Sequence, residues 1–428
     1  MSLDTWSDME AFGEEHGLVT AIHATPHKMV MAFAGAGAQA LAWLHGVGGS
    51  SRTMLAAVDI YSDAAMHEWV GFMPARFTSR RVARAMANEA YRRARRYVAA
   101  NHAEGTATGA NDPVFGLAST ATIATDRAKK GDHRVAAAVR DAFGMATYAL
   151  TLEKGARDRE GEEDVVSLLL LRAAADACGV LERPDLPLTS KEQLRMTFEP
   201  SDMLAQVEAG EREMVLVRED GGIVRGPRQD QHADVGAGAR AATPHTGPFA
   251  IVSGAFHPVH DGHLGLARVA SERTGLPALF ELPLVNAEKA PIELLEARRR
   301  AHQFAGKGSL ALTRAPLFAE KAKLFPGSVF VVGVDTAERI LEPRFYDGSF
   351  DLLVAALEEV EGHGCRFLVA GREGRSGVFR TLDDVQVPEA AKAVVGRIFE
   401  GLPEEAFRRD VSSTEIREGW GAETEEAR

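Results

Sequence analysis

Two histidines three positions apart lie in the second half of the chain, and their types and spacing suit phosphate chemistry. They are His260 and His263, with Gly262 between them. Imidazole changes its charge near neutral pH, so such a pair can stabilise an anionic group. A glycine lets the backbone approach a ligand closely because it has no Cβ. The pattern therefore indicates a site for phosphate.

The surrounding segment predicts how these histidines are held. It opens with the apolar run Phe249–Val252, which is short enough for a buried strand and is closed by Gly254. A tight turn containing Pro258 follows, and Leu264–Arg268 predicts the first turns of a helix. A strand, a turn and a helix in this order leave backbone N–H groups at the helix start, where an anionic phosphate is stabilised.

The stretch GAFHPVHDGH, residues 254–263, resembles the H-x-G-H signature of the nucleotidylyltransferase superfamily, which includes nicotinamide-mononucleotide adenylyltransferases and CTP-dependent cytidylyltransferases. The resemblance implies that His260 and His263 act on the phosphates of a nucleoside triphosphate, one of them as an imidazolium. The nucleotide-binding residues that it implies in this stretch are Gly254, Ala255, Phe256 and Gly262. The superfamily usually has Asp or Asn after the Phe, and this chain has His257 there.

A second motif lies near the C-terminus, in DVSSTEIR at 410–417. Ser412 followed three residues later by Glu415 predicts a capping box and hence a helix start. The stretch also resembles the superfamily's I-S-S-T-x-I-R motif, which closes over the β- and γ-phosphates. The two interpretations are compatible, because a helix start with hydroxyls and an arginine suits a triphosphate. The implied nucleotide-binding residues are Ser412, Ser413, Thr414 and Arg417.

Four further residues are candidates for the same site. Lys289 either holds a phosphate as a catalytic point charge or is an ordinary surface lysine. Gly333 and Asp335 resemble the G-x-D of pyridine-nucleotide adenylyltransferases, where the Asp accepts from a ribose hydroxyl or helps to hold metal; Asp335 is also a candidate helix N-cap. Arg372 is a candidate phosphate ligand. Mg²⁺ would accompany the triphosphate, held mainly by phosphate oxygens and water, and the sequence contains no dedicated metal cluster.

Composition limits the class of protein. A chain of 428 residues with 45% hydrophobic and 26% charged residues predicts a globular protein of two or three domains. Its net charge of −12 argues against a general nucleic-acid partner. Cys178 and Cys365 are too few for a disulfide framework or a thiolate zinc site, which favours a reducing compartment. Because neither a signal peptide nor a run of about 20 apolar residues is present, we expect a cytoplasmic protein without a membrane partner.

The order of predicted elements divides the chain into three segments. Residues 1–180 form an α/β domain, 181–247 a connector and 248–428 a second α/β domain. The connector contains a β-hairpin with a D-G turn and ends in a flexible linker at 226–247. In the second domain strands alternate with helices, which predicts a doubly wound parallel sheet with ligands at the strands' carboxyl ends. The predicted strands are 249–252, 278–284, 309–313, 329–334 and 366–370.

The first domain is less regular. Met29–Ala34 and Phe115–Thr125 predict strands, and Ser79–Ala99 predicts an amphipathic helix rich in arginine. Residues 133–152 are ambiguous: either 133–139 is a strand, or a helix runs from 135 to 152, and the alanine content favours the helix. An acidic break at Gly161–Asp164 is expected before another helix.

This domain resembles the C-terminal domain of the CinA family, the nicotinamide-nucleotide amidohydrolases. The matching pieces are Gly49-Ser50-Ser51, Tyr61-Ser62-Asp63 and FGLASTATIATDRAKKGDHR at 115–134. The family's nucleophilic Ser falls on Ala34 and its Lys on Met66. Neither side chain can attack a carbonyl or act as a base, so the resemblance implies a domain without amidase activity that binds a ligand or dimerises.

Together the two resemblances predict a Rossmann-like nucleotidylyltransferase domain behind a degenerate CinA-like domain. The reaction is nucleotidyl transfer from a nucleoside triphosphate, with ATP favoured, to a small phosphorylated acceptor, with a pyridine mononucleotide favoured; pyrophosphate is released. The alternatives are a CTP-dependent cytidylyltransferase acting on a phosphorylated alcohol and a non-catalytic nucleotide sensor. The sequence is compatible with a homo-oligomer.

Overall fold

The structure, a computed structural model, describes residues 7–103, 112–127, 130–225, 247–285, 290–373 and 378–407. The chain is α/β and forms two compact units. The first unit comprises residues up to 202 with 220–223 and 294–306, and the second comprises 203–219, 224–293 and the residues from 307 onward. Within the described ranges, no helix is both long and apolar enough to cross a membrane.

Helices and strands are numbered here in chain order. The helices are α1 (Ser7–Ala24), α2 (Ala38–Gly46), α3 (Ser50–Thr53), α4 (Asp63–Val70), α5 (Arg80–Ala103), α6 (Arg159–Cys178), α7 (Asp202–Glu208), α8 (Asp261–Thr274), α9 (Leu294–His302), α10 (Phe318–Leu324), α11 (Val334–Ile340), α12 (Phe350–Gly362) and α13 (Lys392–Ile398). The strands are β1 (Lys28–Ala34), β2 (Met54–Asp59), β3 (Val114–Thr122), β4 (His133–Arg140), β5 (Gly144–Leu152), β6 (Arg195–Pro200), β7 (Met214–Val217), β8 (Ile223–Arg225), β9 (Ala250–Ser253), β10 (Ala278–Pro283), β11 (Leu310–Thr313), β12 (Val329–Gly333), β13 (Arg366–Ala370), β14 (Arg372–Glu373), β15 (Phe379–Arg380) and β16 (Phe399–Leu402).

The sheet of the first unit has the order β2-β1-β3-β4-β5-β6. The first three strands run parallel, and β4, β5 and β6 each pair antiparallel with the strand before them. One face packs on α1, α2 and α6, and the other on α4 and α5. The strands predicted around Met29–Ala34 and Phe115–Thr125 and the helix at Ser79–Ala99 are confirmed as β1, β3 and α5.

The helix favoured for residues 135–152 is wrong. The segment forms β4 and β5, joined by a turn in which Asp141 Oδ1 accepts the N–H groups of Phe143 and Gly144 at 2.8 and 3.1 Å. Gly144 has a φ of +155°. Alanine's helix propensity is only a few tenths of a kcal/mol better than that of most residues, and burial of both faces of β4 outweighs it.

The acidic break expected at Gly161–Asp164 is also wrong, because α6 runs unbroken from Arg159 to Cys178. Asp158 caps it by accepting the N–H of Gly161 at 2.9 Å. Glu160 and Glu162 lie in the first turn, where the helix dipole stabilises negative charge. The acidic run therefore begins the helix.

The sheet of the second unit has the order β16-β13-β12-β9-β10-β11-β7-β8. Strands β9 to β13 and β16 are parallel, and β7 pairs antiparallel with β11 at the edge that β8 completes. The doubly wound sheet predicted for this part of the chain is confirmed, with each predicted strand in place to within a residue or two. The connector hairpin is β7 and β8 of this sheet.

The compact units interleave along the chain, whereas the prediction divided the chain into three successive segments. The connector supplies β6 to the first sheet and β7 to the second. Helix α9 lies between β10 and β11 in sequence but belongs to the first unit. There its Arg298 and His302 pair with the buried Asp141, and its Arg299 pairs with the buried Asp176.

Those partners form a buried charged cluster. Arg298 Nε donates to Asp141 Oδ2 at 2.6 Å, and His302 Nε2 lies 3.0 Å from the same oxygen. Arg299 Nε lies 3.0 Å from Asp176 Oδ1, and Tyr148 donates to Asp176 Oδ2 at 2.9 Å. Burial alone would raise the pKa of Asp141, but Arg298 and His302 outweigh it and hold the pKa well below its usual range.

Arg298→Gln should destabilise the first unit strongly, because the substitution leaves Asp141 buried without its cation. We expect the free energy of unfolding in urea to fall by about 3 kcal/mol or more. The control is Arg268→Gln, which breaks the exposed pair of Arg268 with Glu272 and should cost less than about 1 kcal/mol. Equal losses in the two variants would contradict this account of the cluster.

Candidate functional site

The candidate site lies where the strand order of the second sheet reverses. Chain order proceeds from β9 to β10 and β11 on one side and to β12, β13 and β16 on the other. Loops that leave the carboxyl ends of β9 and β12 therefore diverge, and ligands of such sheets bind in the crevice between them. Val252 of β9 pairs with Val331 of β12, and Gly254 and Gly333 each follow two residues later, at the carboxyl ends of these neighbouring strands.

The two histidines cap the helix that follows β9. His260 is the N-cap of α8, and its Nδ1 accepts the N–H of Gly262 at 3.2 Å. His263 Nδ1 accepts the N–H of His260 in return, at 3.3 Å. This is the reciprocal arrangement of a capping box, built from imidazoles. Because both Nδ1 atoms are acceptors, each neutral ring carries its proton on Nε2, the atom that would donate to a phosphate oxygen.

The surroundings of His263 favour its neutral form. Burial, and then the neighbouring His260, lower the pKa of His263 to about 3. The two ring centroids are 3.8 Å apart, and the ring of Phe256 meets His263 edge to face at 5.0 Å. Phe256 is itself buried against Phe280. His263 is therefore a fixed N–H donor at neutral pH, and only a bound anion would favour its imidazolium.

The glycines of the site differ in what surrounds them. A Cβ on Gly254 would come within 3.0 Å of the Phe256 ring, and the Gly254 N–H donates to the carbonyl of Glu281 at 3.0 Å. Gly262 is buried in the first turn of α8. A Cβ on Gly333 would have no described atom within 4 Å, so Gly333 borders the crevice. Ala255, which lies between Gly254 and Phe256 in the chain, is exposed.

Beside this turn, the ends of β12 and β13 bring together an acid and two arginines. Asp335 Oδ2 accepts from Arg372 Nη1 at 2.7 Å, and Arg380 Nη1 lies 3.9 Å from Asp335 Oδ1. Arg380 also pairs with Glu338. The N-cap alternative for Asp335 is wrong, because the N-cap of α11 is Gly333 and Asp335 lies in the first turn. These pairs are partly exposed, so solvent weakens them and they can exchange for a ligand.

The structure places the predicted site residues that it describes in two groups, near the carboxyl ends of neighbouring strands. The α8 turn holds Gly254, Ala255, Phe256, His260, Gly262 and His263, and the neighbouring strand ends hold Gly333, Asp335 and Arg372. The remaining candidates, Lys289, Ser412, Ser413, Thr414 and Arg417, lie outside the described residues. Arg380 was missed: it reaches Asp335 only because β15 pairs with β14, and no motif surrounds it.

In the described part of the chain, no three His, Cys, Asp or Glu side chains are grouped so as to hold a metal ion. Asp335 is the carboxylate at the end of β12, and one such oxygen suits a Mg²⁺ ion that keeps phosphate and water ligands.

No protein-family model matches the chain. It is 29% identical over 196 residues to the "Probable nicotinate-nucleotide adenylyltransferase" of Gloeobacter violaceus, an alignment that covers 40% of this chain and 86% of that relative.

Solved structures of the CinA group are also similar, distantly. The competence/damage-inducible protein CihA of Agrobacterium tumefaciens is 18% identical and covers 37% of this chain and 92% of its own, with a TM-score of 0.28. A CinA superfamily protein of Escherichia coli is 17% identical over 41% and 90%, also with a TM-score of 0.28. Similarity at this level does not define a function.

His263 should stay uncharged well below neutral pH, because burial and His260 both oppose its protonation. In an NMR titration of the ligand-free protein, we expect its ring signals to stay constant from pH 8 to pH 5, in keeping with a pKa of about 3. Spectra of His263→Gln identify those signals. A midpoint near the ordinary value of 6.5 would contradict the proposed environment.

Gly333→Val should block the crevice without harming the fold. The backbone of Gly333, at φ −78° and ψ 159°, suits any residue, and no described atom lies within 4 Å of its Cβ position. We expect only a small fall in Tm, because valine is a poorer N-cap than glycine, and ATP binding weakened by about tenfold or more in calorimetry. Gly396→Val, at an equally open position on α13, is the control. Unaltered ATP binding by Gly333→Val would place the ligand elsewhere.

Proposed function

We propose that the second unit transfers a nucleotidyl group from a nucleoside triphosphate, preferentially ATP, to the phosphate of a pyridine mononucleotide, with release of pyrophosphate. The observation that carries this proposal is the reciprocal histidine cap at the start of α8, beside the reversal of strand order. The similarity to a protein named as a nicotinate-nucleotide adenylyltransferase supports the choice of acceptor.

The reaction needs positioning and charge neutralisation rather than a covalent intermediate. An acceptor phosphate oxygen attacks the α-phosphorus, the bond from the α-phosphorus to the bridging oxygen breaks, and pyrophosphate leaves with the electron pair. The Nε2–H groups of His260 and His263 donate to phosphate oxygens of the triphosphate. The start of α8 adds its partial positive charge. Mg²⁺ bound to the triphosphate would neutralise part of its charge.

The second cluster suits the sugar and the acceptor. Asp335 would accept from a ribose hydroxyl, with Arg372 as its present partner. Arg372 and Arg380 would then be available to hold phosphate, because their ion pairs are partly exposed. Lys289 and the 412–417 segment are proposed to complete the phosphate site, as the sequence motifs imply.

A CTP-dependent cytidylyltransferase is the second candidate, and one observation favours it. Segment 284–289, which follows β10, contains no aromatic residue that would stack on a nicotinamide ring. The same crevice chemistry would serve a phosphorylated alcohol. The nucleotide and acceptor therefore have to be decided together by experiment.

We also propose that the first unit does not hydrolyse amides. Ala34 and Met66, at the positions of the family's Ser and Lys, are buried in the same apolar cluster. The start of α2, which follows β1, is occupied by the chain's own carboxylate: Glu163 Oε1 accepts the N–H groups of Gly37 and Gln39 at 2.8 and 3.2 Å. A substrate anion would have to displace it.

The test is pyrophosphate release by the full chain with Mg²⁺, crossing ATP and CTP with nicotinamide mononucleotide, its nicotinate analogue and several phosphorylated alcohols. We expect release with ATP and a pyridine mononucleotide. His263→Ala should lower kcat by about 100-fold, because it removes one preorganised donor to the reacting phosphates. His67→Ala, on the exposed side of α4, should leave the rate unchanged.

Each outcome decides between the candidates. Release only with CTP and a phosphorylated alcohol would replace the proposed function with the cytidylyltransferase. Saturable triphosphate binding without release for any pair would overturn catalysis and favour the nucleotide sensor. Release that His263→Ala leaves intact would place the chemistry outside the crevice.

A further inference from the structure

The first unit contains a cavity of about 650 Å³ on the side of its sheet covered by α5. The loop before α5 forms one wall, and β4, β5 and β6 form the floor and the opposite wall. Its volume is typical of a small-molecule site. Neither Ala34 nor Met66 lines it, so it is distinct from the position where the CinA resemblance would place an amidase.

The charge of the lining is entirely positive among the described residues. The basic residues are Arg76, Arg80, Arg134, Lys191 and Arg195. Arg134 pairs with Asp132, and Lys191 with Glu153. In the part of the chain that the structure describes, no acidic side chain pairs with Arg76, Arg80 or Arg195. Three unpaired arginines around one cavity repel each other, and an anion in the cavity would relieve that repulsion.

Arg76, Arg80 and Arg195 differ from the other exposed arginines because all three line this cavity. The chain carries a net charge of −12, and among the described residues three of the other six arginines of α5 have an acidic partner. Arg84 pairs with Glu199, and Glu89 binds both Arg92 and Arg93. Arg80, in the same helix, is left facing the cavity. The three arginines also come from three different elements, namely the loop, α5 and β6.

The rest of the lining indicates which part of a ligand is recognised. Hydroxyl groups of Thr78, Ser79 and Thr151 join the arginines. The 24-residue helix α5 begins at Arg80, so its positive end borders the cavity. No aromatic side chain is among the described lining residues, so a nucleobase would find no stacking partner. This chemistry suits phosphoryl groups, and three unpaired cations suit more than one of them.

We propose that this cavity is a binding site for a small molecule with two or more phosphoryl groups. Arg76, Arg80 and Arg195 hold the phosphates, and the hydroxyls of Thr78 and Ser79 bind their remaining oxygens. The site is independent of the transferase proposed for the second unit. Strand β6, which the connector segment supplies, is part of it because it carries Arg195.

The test is hydrogen–deuterium exchange of the full chain with and without tripolyphosphate, which locates binding by segment. We expect slower exchange at residues 76–84 and 191–196 in the wild type. Arg80→Gln/Arg195→Gln should abolish this protection at a concentration that saturates the wild type, and should weaken binding at this site by about tenfold or more. Both arginines are exposed and have no acidic partner in the described part of the chain, so the variant should keep its Tm.

The matched control is Arg95→Gln/Arg96→Gln, which removes two exposed charges from the same helix outside the cavity. It should retain the protection. Equal loss in both double variants would mean diffuse electrostatic attraction and would overturn the site. Absence of protection at 76–84 and 191–196 in the wild type would also overturn it, whether or not tripolyphosphate protects the α8 turn. Repeating the experiment with ATP and pyrophosphate tells whether the ligand needs a nucleoside.

Discussion

The reversal of strand order at β9 is the constraint on which the candidate site depends. A parallel sheet that grows in both directions from one strand sends its connections to opposite faces, so the loops after β9 and β12 separate. Gly254 and Gly333 lie at the carboxyl ends of these two neighbouring strands. The starts of α8 and α11 then lie at one edge of the sheet, which gathers N–H groups, two imidazoles and Asp335 where an anion can reach them.

At the start of α8 the chain uses imidazole donors, whereas Arg372 and Arg380 lie near the ends of the neighbouring strands β12 and β13. The reciprocal cap fixes both Nδ1 atoms as acceptors, and Phe256 holds the ring of His263 in place. A charged group there would have to be desolvated beside its neighbour, which is why the pKa of His263 is low. Such preorganised donors do not need to reorient as charge develops on a phosphate. Electrostatic catalysis therefore incurs no reorganisation energy at the moment of reaction.

In the first unit, some charged groups are paired within the protein and others are not. Asp141 neutralises Arg298 in the interior, and Glu163 occupies the start of α2, so the protein itself satisfies these groups. Around the cavity before α5, by contrast, Arg76, Arg80 and Arg195 have no acidic partner among the described residues. Internal pairing makes rigid structure, whereas unpaired charge of one sign makes a binding surface. The contrast distinguishes the polar groups that build the fold from those that are available to a ligand.

The sequence by itself determined the elements whose signals are local. The apolar runs at 250–253 and 329–333 made buried strands, and the His260–His263 pattern placed a helix start, because these depend on neighbours along the chain. Tertiary structure decided the rest. Residues 133–152 form strands because burial between two helical layers outweighs alanine's helix propensity. Helix α9 belongs to the first unit because Arg298 pairs there with the buried Asp141. The pairing of Asp335 with Arg372 and Arg380 likewise required two strand ends and a hairpin to meet, which no local pattern encodes.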